Sequence, residues 1–406
     1  MVTERISLEG HLIDDNSLGR VFAIFDRHGV EFRVRRFRIG EKSESPSLIE
    51  LTLRATTSQA LDAALSECEP YSEEFSLDPV QTAIVDLVGV WPEGFYSTTN
   101  FPTFVYHEGQ WIEVEAIEMD VAIRIWSDNG RWRAETCPMH RTQAGDNLVV
   151  GYDGVRVIPE DTEDEDGEDF RFMGNDASTE RPKSRLIRHC AEAIHSAHAA
   201  GKRVLLVGGP AIVHSGCAEE LARLIRGGFI DVLFAGNALA AHDIEAAMLG
   251  TSLGVNLEQG RAVTHGHTHH LRCINRVRRA GSIRAAVEQG IIPSGAMRAA
   301  VEVGIPYVLC GSIRDDGPLP DVITDNVVAQ DAMRAGAKNI GVAIMVATTL
   351  HSVATGNILP AAVVTYCVDS DADTVIKLTD RGTHQAIGIV TDCEFFLKEL
   401  VRQVGA

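Results

Sequence analysis

None of the eight cysteines stands in a Cys-x-x-Cys pair, so the scattered thiols speak against a disulfide scaffold and for reduced cysteines in a cytoplasmic protein. No apolar run approaches the ~20 residues a membrane span needs, and Met1-Val2-Thr3-Glu4-Arg5 is followed by no signal-peptide apolar stretch. A membrane partner is therefore not expected. Positive charge is in short supply: 37 Lys and Arg face 57 Asp and Glu, a net charge of −20 that argues against a nucleic-acid surface and for solubility. A P-loop, a Gly-x-Ser-x-Gly elbow and a Gly-x-Gly-x-x-Gly fingerprint are also missing, which removes the footing for NTPase, hydrolase and ordinary dinucleotide-fold readings.

What is present falls into stretches of different pattern. The 406 residues leave room for about two or three domains. In residues 1–90, Arg5–Gly10 and Glu31–Arg38 alternate apolar and polar side chains as half-buried antiparallel strands do. Leu18–His28 and Ser58–Cys68 carry apolar residues at helical spacing, and Ser47–Ala55 reads as another strand. The order β-α-β-β-α, with a further strand to close it, predicts a small α+β sandwich of ferredoxin-like type. Residues 91–158 hold Trp91, Trp111, Trp126 and Trp132 among alternating runs, which predicts a β-rich module. Between Glu160 and Asp176 nine carboxylates accompany one Arg, a composition that cannot bury a core, so 159–180 reads as a solvated acidic linker.

From 181 to 406 short apolar strands alternate with helical stretches, the grammar of a doubly wound α/β domain with a parallel sheet covered on both faces. Val204–Val207 runs into Gly208-Gly209-Pro210, Val232–Ala235 into Gly236-Asn237, and Tyr307–Cys310 into Gly311–Asp316. Val342–Val346 runs into Ala347–His351, Val363–Val368 into Asp369, and Ile387–Val390 into Thr391-Asp392. Ligands bind such sheets outside the carboxyl ends of the strands, so these corners predict a nucleotide crevice.

Each corner also has a plainer explanation. Gly208-Gly209-Pro210 lets a backbone approach phosphate ahead of a helix N-terminus, yet it also suits a tight strand-to-helix turn. Asp369 and Asp392 can accept ribose hydroxyls and repel the extra phosphate of NADP, although either can simply cap a helix. Asn237-Ala238 and Thr348-Thr349-Leu350-His351 add an amide, hydroxyls and an imidazole at the same rim, again with capping as the alternative. Recurrence at successive strand ends favours the ligand reading. Thr264–His270 packs four histidines into one short Gly-bearing loop. Ligands so crowded do not close a tetrahedron without outside help, so an exposed or substrate-gating loop is expected and no metal. Cys137-Pro138-Met139-His140 lacks further ligand partners in the same way.

Longer motifs carry a family likeness. Gly10-His11-Leu12-Ile13-Asp14 and Phe32-Arg33-Val34 stand in the N-terminal part, and Val207–His214, Ala235–Ala238 and Gly311–Val322 in the C-terminal part. With Leu350-His351-Ser352, Thr355-Gly356-Asn357, Lys377–Gly382 and Ala386–Asp392, they resemble the archaeal-type ornithine cyclodeaminases that carry an N-terminal lysine-oxoglutarate reductase/saccharopine dehydrogenase (LOR/SDH) conserved domain. The likeness runs over nearly the whole chain. It departs from the pattern at the acidic insertion before Arg181 and at Val368–Asp373, which is more acidic than the family continuation.

The resemblance implies a deoxyhypusine-synthase-like NAD-binding domain and conversion of L-ornithine to L-proline and ammonia. It places NAD contacts on Asn237, Ala238, Asp316, Thr348, Thr349, Leu350, His351, Asp369, Asp392 and Cys393, the last through backbone. The implied chemistry is redox-neutral: NAD+ takes hydride from the ornithine Cα, the δ-amine closes the ring with loss of ammonia, and the hydride returns. Asp316 and His351 are candidate acid-base groups, and Arg314 a candidate clamp for the substrate carboxylate. A cytoplasmic homo-oligomer is expected. Lacking the arginine-dihydrolase domain of some relatives, the chain is not expected to consume arginine. Two rivals stay open: a saccharopine-type dehydrogenase with net NADH release, and a non-catalytic regulatory module built on a ferredoxin-like sensor.

Overall fold

The computed structural model describes residues 2–10, 12, 17–39, 47–68, 74–158, 183–256, 261, 268–315, 317–380 and 386–406. The chain divides into two compact units, Met1–Asp164 and Glu165–Ala406.

The first unit opens with β1 (Val2–Gly10), α1 (Ser17–Arg27), β2 (Glu31–Arg38), β3 (Ser47–Ala55), α2 (Ser58–Cys68) and β4 (Glu74–Leu77). The strands pair antiparallel in the order β2-β3-β1-β4, the ferredoxin-like arrangement that the element order predicts. Ile6 and Leu8 of β1 and Ile49, Leu51 and Leu53 of β3 turn one face to Val21, Ile24, Phe25, Leu61 and Leu65 of the helices. β2 differs from expectation, because all eight of its residues are exposed. It is an edge strand, and α1 meets it through Phe22, whose ring stacks on Phe32 at 4.3 Å, and Phe25, whose ring lies 5.8 Å from Phe32.

A second sheet follows: β5 (Gln81–Ile84), β6 (Thr103–His107), β7 (Gln110–Glu115), β8 (Ala122–Asp128), β9 (Arg131–Cys137), β10 (Asn147–Val150) and β11 (Val155–Val157). Their order is β11-β6-β7-β9-β8-β10-β5, so the strand at 81–84 joins this β-rich sheet by pairing with β10. Arg156 ties it to the first sheet within the same unit. Its guanidinium donates to Glu4 Oε2 at 2.6 Å and Asp62 Oδ1 at 3.0 Å and lies 4.2 Å over the Trp111 ring.

The second unit comprises α3 (Lys183–Ala199), β12 (Arg203–Gly208), α4 (Ala211–His214), α5 (Ala218–Arg226), β13 (Val232–Gly236) and α6 (Asn237–Leu249). The short hairpin β14 (Thr251–Ser252) and β15 (Val255–Asn256) precedes α7 (His269–Ala280), α8 (Ile283–Glu288) and α9 (Ala296–Val303). Then come β16 (Tyr307–Cys310), β17 (Val322–Ile323), α10 (Asn326–Gly336), β18 (Ile340–Val346), α11 (Leu350–Ile358), β19 (Val364–Asp369), α12 (Ala372–Asp380), β20 (Ile387–Val390) and α13 (Cys393–Val404). Among the described residues the sheet has seven parallel strands in the order β17-β16-β13-β12-β18-β19-β20. Alternate side chains serve opposite faces. Val204, Leu206, Leu233, Ile344 and Val368 pack under α3, α5–α9 and α13, whereas Leu205, Val207, Phe234, Met345 and Cys367 pack under α10–α12. This is the doubly wound α/β domain. No helix among the described residues is long and apolar enough to cross a membrane.

Candidate active site

The chain starts its sheet in the middle at β12, builds outward through β13, β16 and β17, then crosses to the other side for β18, β19 and β20. The reversal puts the topological switch between the carboxyl ends of β12 and β18, where a crevice opens in such sheets. Gly209 N donates to Val346 O at 2.9 Å, and Ala347 N to Val368 O at 2.9 Å, so the corners are held by backbone. A Cβ on Gly209 would run into the carbonyl oxygen of Ala347, and Ala347 itself sits at φ +52°, a left-handed conformation strained for alanine. These two corners touch.

Along the rim, α6 and α11 begin without a side-chain cap: Gly236 precedes one, and Thr349 makes no capping hydrogen bond for the other. Their first N–H groups therefore lack intrahelical and side-chain partners and present partial positive charge. By contrast, Asp325 caps α10 and Asp392 caps α13, the latter by accepting Phe395 N on Oδ1 at 2.7 Å. Asp369 ends β19; its Oδ1 accepts Asp371 N at 3.0 Å, and among the described residues Oδ2 has no partner. Two uncapped helix starts with a carboxylate at the neighbouring strand end form a donor and acceptor set that fits a dinucleotide: N–H groups for the pyrophosphate, Asp369 for a ribose.

His351, on the first turn of α11, reaches across to the end of β13. A Cβ built on Gly236 would lie 3.0 Å from its Cε1, so glycine there gives the imidazole its place. Its Nδ1 is 3.4 Å from Thr348 Oγ1. Burial pushes its pKa below the ordinary histidine value, opposed by the nearby Asp315 carboxylate, so the ring is neutral at neutral pH. Asp315 is a residue the sequence reading passed over in favour of its neighbour. It accepts Asn237 Nδ2 at 3.2 Å and Ser312 N at 2.7 Å, while Asn237 Oδ1 accepts Leu319 N at 3.0 Å. Asn237 thus pins the loop after β16 to the start of α6.

Other sequence candidates distribute as follows. Asp316 lies outside the described residues. Arg314 is exposed on the loop that Asn237 pins, Leu350 is 78% exposed, Thr349 is exposed, and Ala238 lies half-buried one position into α6. Cys393 opens α13 with its thiol 3.2 Å from Ser215 Oγ and donating to Ala211 O at 3.4 Å; burial raises its pKa, which keeps the sulfur protonated. Of the histidine run, His265 and His267 lie outside the described residues. His269 and His270 open α7 half-buried, in a helix start and not an exposed loop. Among the described residues no group of three or more His, Cys, Asp or Glu side chains is arranged to hold a metal ion.

Comparison with known proteins agrees with this architecture. Residues 188–400 match the family model described as arginine dihydrolase ArgZ-like, C-terminal, Rossmann fold; 102–187 match its C-terminal first region, and 3–101 the LOR/SDH bifunctional enzyme conserved region. The chain is 46% identical to ornithine cyclodeaminase of Methanocaldococcus jannaschii, over 100% of this chain and 96% of that protein. The crystal structure of a conserved LOR/SDH protein from Methanococcus maripaludis superposes with a TM-score of 0.73 at 43% identity, covering 81% of this chain and 97% of that one. The ternary complex of AgrE with ornithine and NAD+ gives a TM-score of 0.54 at 37% identity, with 100% of this chain matched to 58% of that one. With sequence kinship over its full length and a shared two-part architecture, the chain belongs to the archaeal-type ornithine cyclodeaminase family, which joins an N-terminal LOR/SDH region to an ArgZ-like Rossmann domain.

Proposed function

We propose that this protein is an ornithine cyclodeaminase that converts L-ornithine to L-proline and ammonia with NAD as a catalytic cofactor. The observation that carries this reading is its 46% identity, over the whole chain, to an archaeal protein of that activity. The switch-point crevice supplies the physical means. NAD, when bound, supplies the hydride acceptor and donor that a redox-neutral cyclisation requires.

The chain's own residues do the rest. The open N–H groups of α6 and α11 hold the pyrophosphate, with Asn237, Ala238, Thr348, Thr349 and Leu350 along that rim, and Asp369 holds a ribose. Asp392 and Cys393 contribute from the next strand end. Neutral His351, set over Gly236, accepts a proton from the α-ammonium of the substrate at the nitrogen facing away from Thr348. Asp316 serves as a second acid-base group. Arg314, exposed on the loop that Asn237 pins, clamps the substrate carboxylate. Of these groups Asn237 is buried and His351 half-buried, and a redox-neutral cycle requires that water be kept from the bound cofactor. The same reading gives residues 181–406 the cofactor site, with 1–90 and 91–158 as separate modules ahead of the acidic 159–180, in a cytoplasmic homo-oligomer.

Ornithine deuterated at Cα, incubated with the protein and substoichiometric NAD+, tests this directly by NMR. Proline that keeps the label at Cα, with no lasting NADH absorbance, is expected. Unlabelled proline, or NADH accumulating one-for-one with product, would refute the closed cycle and favour a saccharopine-type dehydrogenase.

A further inference from the structure

Beyond His351 a second group of imidazoles meets beside α6. The His242 and His214 rings are 4.8 Å apart between centroids, and His242 and His270 5.9 Å apart. His242 Nδ1 lies 3.0 Å from Glu245 Oε2. Glu245 is fully buried, and its oxygens also accept Thr251 Oγ1 at 2.9 Å, Gly254 N at 3.0 Å and Leu253 N at 3.2 Å. Those donors hold it ionised against the cost of burial. An ionised carboxylate only accepts, so Nδ1 of His242 must carry the proton, and Nε2 is left with its lone pair when the ring is neutral.

Thr251 extends the chain. Its hydroxyl hydrogen goes to Glu245, so it accepts from His269 Nδ1 at 2.8 Å. His214 Nδ1 pairs with Ser252 Oγ at 2.6 Å. The Nδ1 atom of His270 is buried with no hydrogen-bond partner among the described residues, a polar atom that nothing in the fold explains. A base oriented by a carboxylate, beside a ring with an unclaimed nitrogen, is the arrangement of general-base catalysis.

The cluster adjoins the crevice through two elements. His214 ends α4, four residues after Pro210 in the corner of β12. His242 lies four residues after Ala238, which places both on one face of α6. From Gly236, under His351, to His242 is six residues, about 9 Å of helix rise.

A diamino acid brings two ammonium groups, and each must lose a proton: one at Cα before oxidation, the other before it attacks. We propose that His242, oriented by Glu245 and flanked by His214 and His270, is the base for the distal amine. The proton passes from the distal ammonium nitrogen to Nε2 of His242, and the freed electron pair adds to the oxidised Cα while the C=N π pair moves onto the α-nitrogen. His242 then returns the proton to that nitrogen, and its C–N bond breaks to release ammonia as the ring C=N forms. Glu245 is a positioning residue, and the Thr251–His269 hydrogen bonds complete its hold. This inference rests on the ornithine reading for the identity of the substrate.

Two measurements on the full-length protein test it. In His242→Ala, kcat for proline formation should fall by about 100-fold or more, with NAD affinity by calorimetry unchanged, and added imidazole should restore part of the rate. Glu245→Gln should lower kcat and shift the acidic limb of the pH profile while KM stays put. A His242→Ala protein that folds, melts normally and turns over within threefold of wild type would overturn the assignment. Should it fail to fold, His242→Gln is judged by the same criteria. Independently, 15N NMR of the histidine rings in wild type with NAD+ should show His242 and His270 signals moving on addition of ornithine. If wild type makes no proline, the ornithine reading falls. The base assignment is then decided by the same spectra with lysine and 2,4-diaminobutyrate, and His242 signals that stay fixed with all three diamino acids sink it.

Discussion

Gly209 and Asp369 show how single residues set the crevice. At Gly209 the obstacle to any side chain is the Ala347 carbonyl, in a residue held to the sheet by its own N–H, which donates to Val368 O. Gly209→Ala must push the ends of β12 and β18 apart, and overpacking of this kind costs about 1–3 kcal/mol or more. Denaturant titration should register that loss together with weakened NAD binding; unchanged stability would mean that the corners separate freely. Asp369 has one oxygen committed to the turn at Asp371. Its replacement by Ala should weaken NAD binding by about 1.5–3 kcal/mol, the range for a hydrogen bond to a charged group. Wild-type protein should prefer NAD to NADP, since the 2′-phosphate would meet that carboxylate. Equal affinity for the two cofactors by calorimetry would remove Asp369 from the ribose site.

Between elements, the most exacting contact in the first unit is Arg156. β11 delivers its guanidinium to β1 and α2, where Glu4 is buried and its Oε1 has no partner among the described residues. Burial raises the Glu4 pKa, and the nearby Arg156 opposes the rise. Arg156→Met removes the guanidinium from Trp111 and strands the carboxylate, and breaking a buried pair from one side costs about 3–5 kcal/mol. Urea unfolding should show that loss. The double variant Arg156→Met/Glu4→Gln should recover much of it, and a single variant as stable as wild type would show that water reaches Glu4. The exposed strand β2 obeys a different rule. Its arginines and half-covered phenylalanines sit at a sheet edge, where alternation in sequence does not by itself bring burial.

At the scale of the whole molecule, two histidines among the described residues have depressed pKa values and shape the response to acid. Burial holds both His351 and His214 below the ordinary value. Once the pH drops below about 6.5 the unfolded chain takes up protons that the folded protein refuses. Their contribution to stability is therefore full above that pH and lost as pH falls through the folded pKa values. Asp243, lifted by burial to about 6, acts in the opposite sense below that pH, where its protonated form is the one the fold favours. The melting temperature should accordingly fall between about pH 7.5 and about pH 6. His351→Gln and His214→Gln should each flatten that slope, and a wild-type curve level across the window would contradict neutral burial.

The sequence by itself determined the elements. Period-two alternation and helical spacing are local, and they placed the ferredoxin-like order of the first unit, with Ser47–Ala55 and Ser58–Cys68 at the observed bounds. Continuous Val/Ile/Leu runs likewise marked six strands of the parallel sheet and the polar corners at their ends. The two-residue strand β17 is too short to leave a pattern. That β5 pairs with β10 and leaves the first sheet alone is equally a matter of non-local pairing. Only the tertiary structure decided which corners meet. Strand order, which no periodicity encodes, sets the ends of β12 and β18 side by side and brings His351 over Gly236. It also gave individual residues partners that no local pattern shows: Asn237 in the loop at Leu319, Asp392 in its own helix, His269 and His270 in α7. His214, His242 and His270 come from three separate helices and become one cluster only when those helices pack, because the rings meet through side-chain contacts between elements distant in the chain.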